Sequence, residues 1–246
     1  MLDILLEDNA LIAVAKPAGL LTQAPLGIDS LEFRIKRYLQ QSRGITSNVY
    51  LGVPHRLDRP VSGAILFAKN VRAARRISEQ FEGRLVEKTY WALVAGRIEP
   101  SAGTWTDFLQ KIEDEPRSMV VEDRHPAGKL AILHYRVVGA FQLPTAEGVA
   151  HEPATLLEIQ LETGRTHQIR VQCASRGHPL LGDELYGSTC RFGPWSDDER
   201  ERLIALHARC LRLNHPMTRE PLALVAPLPT HWPDVAQDAQ QPPLAS

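Results

Sequence analysis

Apolar and polar positions recur along the chain with two periods, and the breaks between them outline its elements. Leu2–Leu6 and Leu11–Ala15 read as two short strands around a Glu7-Asp8-Asn9 turn, after which Lys16-Pro17-Ala18-Gly19 interrupts the pattern. From Ser30 to Gln41 the apolar residues return at helical spacing. Leu31, Ile35 and Leu39 share one face, Arg34, Lys36 and Arg37 lie toward another, and Asp29 or Ser30 is placed to cap the helix. Leu51–Pro54 leads into a turn-rich segment, Arg56–Ser62, followed by a compact apolar strand at Gly63–Ala68. Asn70 opens a second helix, with Val71, Ala74, Ile77 or Ser78, and Phe81 on its apolar face, and Gly83 closes it. Lys88–Val94 is a strand rich in β-branched and aromatic residues. Further strands are expected near Met119–Val121, Leu130–Val138, Thr155–Leu161, Leu206–Leu213 and Leu222–Ala226. Phe141–Glu152 and Ser188–Glu201 read as loops, the second with room for a short helix. Thr166–Arg176 reads as a helix opened by Thr166 and closed by Gly177 and Pro179. Strands outnumber helices, which predicts an α+β fold on a mixed, largely antiparallel sheet flanked by helices and loops, not a doubly wound one.

With 246 residues the chain can bury a substantial core, and a single domain over residues 1–235 in two packed lobes is expected. Residues 236–246, rich in Pro, Gln and Ala, are expected to form a flexible tail. No run is long and apolar enough to cross a bilayer, and the start of the chain lacks the layout of a signal peptide. Cys173, Cys190 and Cys210 form no CxxC pair, which argues against a disulfide framework or a structural zinc site and fits a reducing, cytoplasmic setting. No surplus amphipathic helix asks for a second copy, so a monomer is expected. The net charge of −1 does not announce nucleic acid. The distribution is uneven, however: Arg34, Lys36, Arg37 and Arg43 cluster, as do Arg56, Arg59, Lys69, Arg72, Arg75, Arg76, Arg84 and Lys88, while acids gather at Glu113–Glu115 and Asp197–Glu201. A neutral protein can still present one basic face, although solvated helix surfaces give the same pattern.

Three segments carry candidate chemistry. His55-Arg56-Leu57-Asp58-Arg59-Pro60-Val61-Ser62-Gly63 packs ionisable side chains ahead of a Pro/Gly turn, the arrangement of a loop that projects a carboxylate between two arginines. A fixed carboxylate there can serve as nucleophile or base; an Asp cap with surface ion pairs is the alternative. In Gly164-Arg165-Thr166-His167-Gln168-Ile169-Arg170, Arg165 and Arg170 can bind phosphate or buttress a carboxylate through a bidentate contact. In Lys88-Thr89-Tyr90-Trp91, strand alternation sets Tyr90 opposite its neighbours, where it can stack on an unstacked base or simply fill the core. The sequence holds no P-loop, GxGxxG, GxSxG or HExxH pattern, so no cofactor and no metal are expected.

Together these segments resemble the RluA-type pseudouridine synthase family. The likeness begins at ILLEDNALIAVAKPAG (Ile4–Gly19) and continues through HRLDRPVSGAILFAK (His55–Lys69), EKTYWALV (Glu87–Val94), GRTHQIRVQCASRGHPLLGDELYG (Gly164–Gly187) and Leu206–Pro229, in the expected order over nearly the whole chain. The resemblance implies a pseudouridine synthase fold and isomerisation of uridines in structured RNA, tRNA or rRNA, without a cofactor. It implies Asp58 as the catalytic aspartate, with Arg56 filling the space left by a flipped uridine and Tyr90 packing on the target base. It further implies Arg170 as the arginine that salt-bridges the catalytic aspartate and Ile169 as an apolar wall of the base pocket. Arg165 and His55 complete the expected substrate contacts, and Gly182, Asp183 and Tyr186 match a motif expected to be mainly structural. Val61 stands where the family usually has Thr, and the small S4-like RNA-binding module that some members carry in front is not expected here. A non-catalytic RNA-binding module and a hydrolase using Asp58 with His55 are the rival readings.

Overall fold

The computed structural model describes residues 2–44, 46–144, 151–234 and 236. In chain order its elements are β1 (Asp3–Glu7), β2 (Leu11–Lys16), α1 (Leu31–Arg43), β3 (Ser62–Ala68), α2 (Val71–Glu82), β4 (Glu87–Ala95), β5 (Ala102–Lys111), β6 (Ser118–Val121), β7 (Lys129–Pro144), β8 (His151–Leu161), α3 (Gln168–Ala174), β9 (Leu206–Asn214) and β10 (Pro221–Val225). They divide into two compact units. The first comprises Met1–Thr89 and His207–Pro227, the second Tyr90–Leu206 and Leu228–Ser246, and the chain first passes from one to the other inside β4.

In the first unit β1 and β2 pair antiparallel, as do β2 and β3, and β10 pairs antiparallel with β9. The sheet is mixed because β3 and β9 run parallel, with Ser62 opposite His207 and Gly63 opposite Ala208. β3 is buried along its whole length, which explains why its sequence is an unbroken apolar run and not an alternating one. The helices form where the periodicity placed them. Ser30 caps α1 by accepting from the Phe33 N–H, and Gly44 closes it at φ 63, so its last residue, Arg43, lies two beyond the expected end at Gln41. Asn70 caps α2 through the Ala73 N–H. Each helix seats a narrow apolar stripe, Leu31, Ile35 and Leu39 on α1 and Ala73 and Ile77 on α2, where Val71, expected on the apolar face, is instead exposed in the first turn. Fully burying one such Leu or Ile contributes about 1.5–3 kcal/mol.

In the second unit β4 neighbours β8, and β8, β7, β5 and β6 follow in antiparallel order. Trp91, Leu93, Leu156, Leu181, Leu228 and Trp232 form its principal core cluster. Three expectations change here. The periodicity missed β5: Trp105, Asp107 and Leu109 share one face, and a charged residue in the middle of it hides the strand pattern. Asp107 is accommodated because Gln172 and Arg176 donate to its carboxylate at 2.7 and 2.9 Å. The segment expected as a loop, Phe141–Glu152, is strand at its described residues, 141–144 and 151–152, with Phe141 opposite Ala154 and Leu143 opposite Glu152. Gly139, Pro144 and Pro153 argue locally against strands, but the ladder between β7 and β8 outweighs them; residues 145–150 lie outside the described residues. α3 begins at Gln168, not Thr166, because His167 precedes it in the left-handed region at φ 54. Of the expected C-terminal tail only Ala236 is described, and it is buried in the core cluster of this unit.

Candidate active site

Asp58 lies on the turn ahead of β3, its side chain exposed between buried Leu57 and Val61. The segment from Lys16 to Thr22 grips the backbone on both sides of it. The Thr22 hydroxyl donates to the Leu57 carbonyl at 2.8 Å and accepts from the Leu57 N–H at 3.2 Å. On the other side, the Gly19 N–H donates to the Arg59 carbonyl at 2.8 Å, and Arg59 Nε returns a bond to the Gly19 carbonyl at 3.1 Å. Val61 N–H closes the turn onto the Asp58 carbonyl at 3.1 Å. Just beyond, Gly63 stands at φ 125, and a Cβ there would meet the Ala208 nitrogen at 2.5 Å, so only glycine lets β9 approach β3 so closely. Ser62 Oγ lies 2.9 Å from His207 Nδ1, and His207 Nε2 lies 3.2 Å from the Ala226 carbonyl. The carbonyl fixes the proton on Nε2, so the Ser62 hydroxyl donates to Nδ1.

Lys16 is the residue of this region that sequence reasoning passed over. It is 1% exposed, and its ammonium donates to the carbonyls of Leu20 at 2.6 Å, Pro17 at 3.0 Å and Arg59 at 3.2 Å. Burial pushes its pKa down to about 7, the charge of Asp58 opposes that shift, and the charge of Arg59 adds to it. The clue was a lysine closing the apolar run LIAVA; Thr22 left no local clue. Because the folded pKa lies below the unfolded value of about 10.4, the unfolded chain binds more protons between these limits. The cost of burying the charged form is full below about pH 7 and is relieved as pH rises across that window. Lys16→Met is therefore expected to remove part of the gain in stability between about pH 7 and about pH 9.5, read as the shift of the urea midpoint in each protein. An identical shift in both would show that Lys16 does not titrate there.

His55, expected among the substrate contacts, is tied to β3 and α2. Its Nε2 accepts the Leu66 N–H at 3.2 Å, and its ring stacks on Phe81 with centroids 4.8 Å apart. Burial pushes its pKa down to about 3, with the Lys88 charge adding to the effect. A neutral imidazole whose accepting nitrogen is already used fixes the loop to β3; it offers the rival hydrolase reading no base. Arg56, one residue on, is exposed. On the helices, Arg34 pairs with Asp29, Lys36 with Glu32 and Arg75 with Glu79, and Arg76 donates to the Pro216 carbonyl. Arg37 and Arg72 are exposed.

In the second unit, Tyr90 is half-buried on β4 between buried Thr89 and Trp91 in sequence. The turn into α3 is organised by Gln168, whose carbonyl oxygen accepts from the Arg165 N–H at 3.0 Å and from the Thr163 hydroxyl at 2.8 Å. Arg165 itself donates through Nε to the Leu130 carbonyl at 2.9 Å. Ile169 and Arg170 are both 4% exposed. Arg170 makes a bidentate carboxylate contact to Asp183, a residue of the motif expected to be structural, at 2.7 Å through both Nε and Nη2. Its Nη1 lies 3.1 Å from His167 Nε2, and its guanidinium sits 5.0 Å from the centre of the Tyr186 ring. An arginine can only donate, so His167 accepts at Nε2 and carries its proton on Nδ1, which faces the Tyr186 oxygen at 3.0 Å. Tyr186 also accepts the Ser118 N–H at 2.8 Å. The Gly182–Tyr186 motif thus holds Arg170 in place.

Residues 10–175 match the family described as RNA pseudouridylate synthase. The chain belongs to the RluA-type pseudouridine synthase family. An uncharacterized RNA pseudouridine synthase of Bacillus subtilis is 36% identical over 93% of this chain and 69% of its own length. A ribosomal large subunit pseudouridine synthase D of Xylella fastidiosa is 34% identical over 93% of this chain and 66% of its own length. This pseudouridine synthase therefore spans about two thirds of those relatives. The tRNA pseudouridine synthase C of Vibrio cholerae is 32% identical and covers 94% of this chain and 93% of its own length. Among solved structures, human RNA Pseudouridylate Synthase Domain Containing 4 superposes with a TM-score of 0.71 at 26% identity, covering 93% of this chain and 89% of that one. The α+β fold of the synthases is therefore the fold of this chain, and it is an isomerase by family.

Proposed function

We propose that this synthase isomerises selected uridines of tRNA or rRNA with Asp58 as the catalytic group. The observation that carries the reading is the loop geometry: an exposed carboxylate on a backbone held on both flanks by Thr22, Gly19 and Lys16. A target uridine must leave its stack, since C1′ and C5 are unreachable in a helix, at a cost of a few kcal/mol. Arg56 occupies the vacated position, Tyr90 packs on the base with Ile169 as an apolar wall, and Arg170, held by Asp183, serves the same reaction. Arg165, Arg37 and Arg72 contact phosphates and set register without reading sequence. Asp58 promotes cleavage of the N–C1′ bond, by attack on the sugar or by removing a sugar proton. The uracil turns within the site, C5 bonds to C1′, and the C5 proton leaves while N1 gains one. Substrate and product have the same atoms, so the chemistry asks for no co-substrate. The enzyme works as a monomer in the cytoplasm, a setting that suits its free cysteines; among the described residues no helix is long and apolar enough to cross a membrane.

Tritium release from RNA labelled at uridine C5 tests the reading, because C5 loses its hydrogen only on isomerisation. Unmodified tRNA and rRNA pools are compared, and the pool that releases tritium names the substrate. In the same assay Thr22→Val is expected to lower kcat with little change in KM for RNA. Valine keeps the shape of threonine but strips both Leu57 backbone groups of their partner, a loss of about 1–3 kcal/mol beside Asp58. Thr22→Ser should restore turnover; equal defects in the two variants would show that the hydroxyl does not position the loop.

A further inference from the structure

Phe33 stands outside the apolar stripe of α1. Leu31, Ile35 and Leu39 are buried, while Phe33 is 52% exposed and lies one turn before Arg37, which is also exposed. The loop that leads into the helix adds two more apolar side chains, Ile28 at 52% exposure and Leu26, fully exposed. Their backbone is nevertheless held. The Ile28 N–H donates to the Pro25 carbonyl at 3.2 Å, closing a turn with Leu26 at its tip and Gly27 at φ 91. The N–H groups of Leu31, Glu32 and Phe33 donate to the Leu21 carbonyl, the Thr22 carbonyl and the Ser30 hydroxyl, which fixes the first turn of α1. Thr22 is the residue whose hydroxyl also holds Leu57. The path from Phe33 to Asp58 through Glu32, Thr22 and Leu57 is thus two covalent and two hydrogen-bonded steps, which keeps the two residues within about 20 Å.

An aromatic ring and aliphatic side chains held in the open, bonded through one residue to a loop that must receive RNA, offer unpaired bases a face to rest on. We infer that Leu26, Ile28 and Phe33 form an apolar ledge for unpaired nucleotides flanking the target uridine, with a base stacked on Phe33 and a phosphate met by Arg37. The inference deepens the reading of this chain as an RNA-modifying enzyme and rests on it. Charge at the ledge suits RNA. Asp29 is paired with Arg34 and Glu32 with Lys36, so the acids beside it are compensated, and Arg37 adds a positive charge. A protein partner fits less well, because three side chains fall far short of the roughly 800 Å² per partner that a stable interface covers. A base-paired stem fits less well too: it turns sugars and phosphates outward, and apolar groups gain nothing from them. Only bases freed from pairing can lie on such a surface, so the ledge selects a uridine whose neighbours are in a loop.

The test uses the full chain with tRNA and rRNA pools from cells lacking it. In filter binding, Phe33→Ala should bind RNA about 5- to 100-fold more weakly, by a factor that stays constant as salt is raised. Phe33→Leu keeps an apolar side chain without an aromatic face and should show most of that loss with an unchanged urea midpoint. Phe33→Trp should restore binding, and its added emission should be quenched by RNA. Arg37→Ala should instead lower the salt slope of binding by about one. If the wild type binds and isomerises RNA but Phe33→Leu binds as tightly, or weakens only together with its urea midpoint, the ledge is overturned while the enzymatic reading stands. A wild-type dimer that Leu26→Ser dissociates in sedimentation, with RNA binding unchanged, would give the surface to a second copy and overturn the ledge as well. If the wild type neither binds RNA nor releases tritium, the enzymatic reading falls and the ledge with it.

Discussion

Replacing Asp58 by asparagine is expected to abolish tritium release while RNA binding survives. Asparagine occupies the same volume on a turn whose backbone is fixed by Thr22, Gly19, Arg59 and Lys16. Those backbone bonds remain in the variant, while the negative charge of the carboxylate is lost. An amide is a poor nucleophile and a poor base, so both routes to N–C1′ cleavage fail together. Loss of the acting group in a covalent or proton-transfer mechanism lowers rates by orders of magnitude. The assay must be run on purified variant with binding measured in parallel. Turnover within about tenfold of wild type would remove Asp58 from the chemistry.

Asp183→Asn is expected to be the most damaging substitution for stability among those considered. Arg170 is 5% exposed at its side chain and Asp183 is 0%, and two 2.7 Å bonds join them. Asparagine replaces one acceptor by a donor that faces the guanidinium and removes the buried counter-charge. Breaking one side of a buried ion pair costs about 3–5 kcal/mol, which should appear as a large drop in the urea midpoint. Reversing the whole pair to a similar-sized apolar couple should be far milder, since the desolvation cost disappears with the charges. A midpoint within about 1 kcal/mol of wild type for Asp183→Asn would show that the pair behaves as a surface bridge.

What could be read from the sequence tracks how local each cause is. Ser30 and Asn70 announce α1 and α2 because a cap and an apolar stripe are written within one helix. The HRLD segment and GRTHQIR stood out because ionisable residues crowd short turns. β5 was invisible because the partners of Asp107, Gln172 and Arg176, lie on another element. The extended β7–β8 ladder was hidden by glycine and prolines that a paired strand tolerates. The start of α3 differs because His167 adopts a left-handed backbone, and the partners of His167 and Gln168 beyond the turn, Tyr186 and the Ile132 carbonyl, lie on other elements. In the site, Asp58 was legible and the clamp from Thr22 was not, for the same reason: its bonds join residues 35 positions apart.

The parallel pairing of β3 with β9 has a consequence for synthesis. Ser62 meets His207 across 145 positions of chain, and Gly63 meets Ala208 beside it. As the polypeptide emerges from a ribosome, the strand that follows the Asp58 loop is made early, yet its neighbour on that edge comes only after Tyr90–Leu206, the first stretch of the second unit, has been translated. Until then β3 carries an open flank, and the nascent chain has every residue of the HRLD loop without the strand that braces its exit. Bracing of the Asp58 loop is in this way tied to translation of the closing β9–β10 hairpin, so a product truncated before it would carry the HRLD sequence and lack the support that β9 gives.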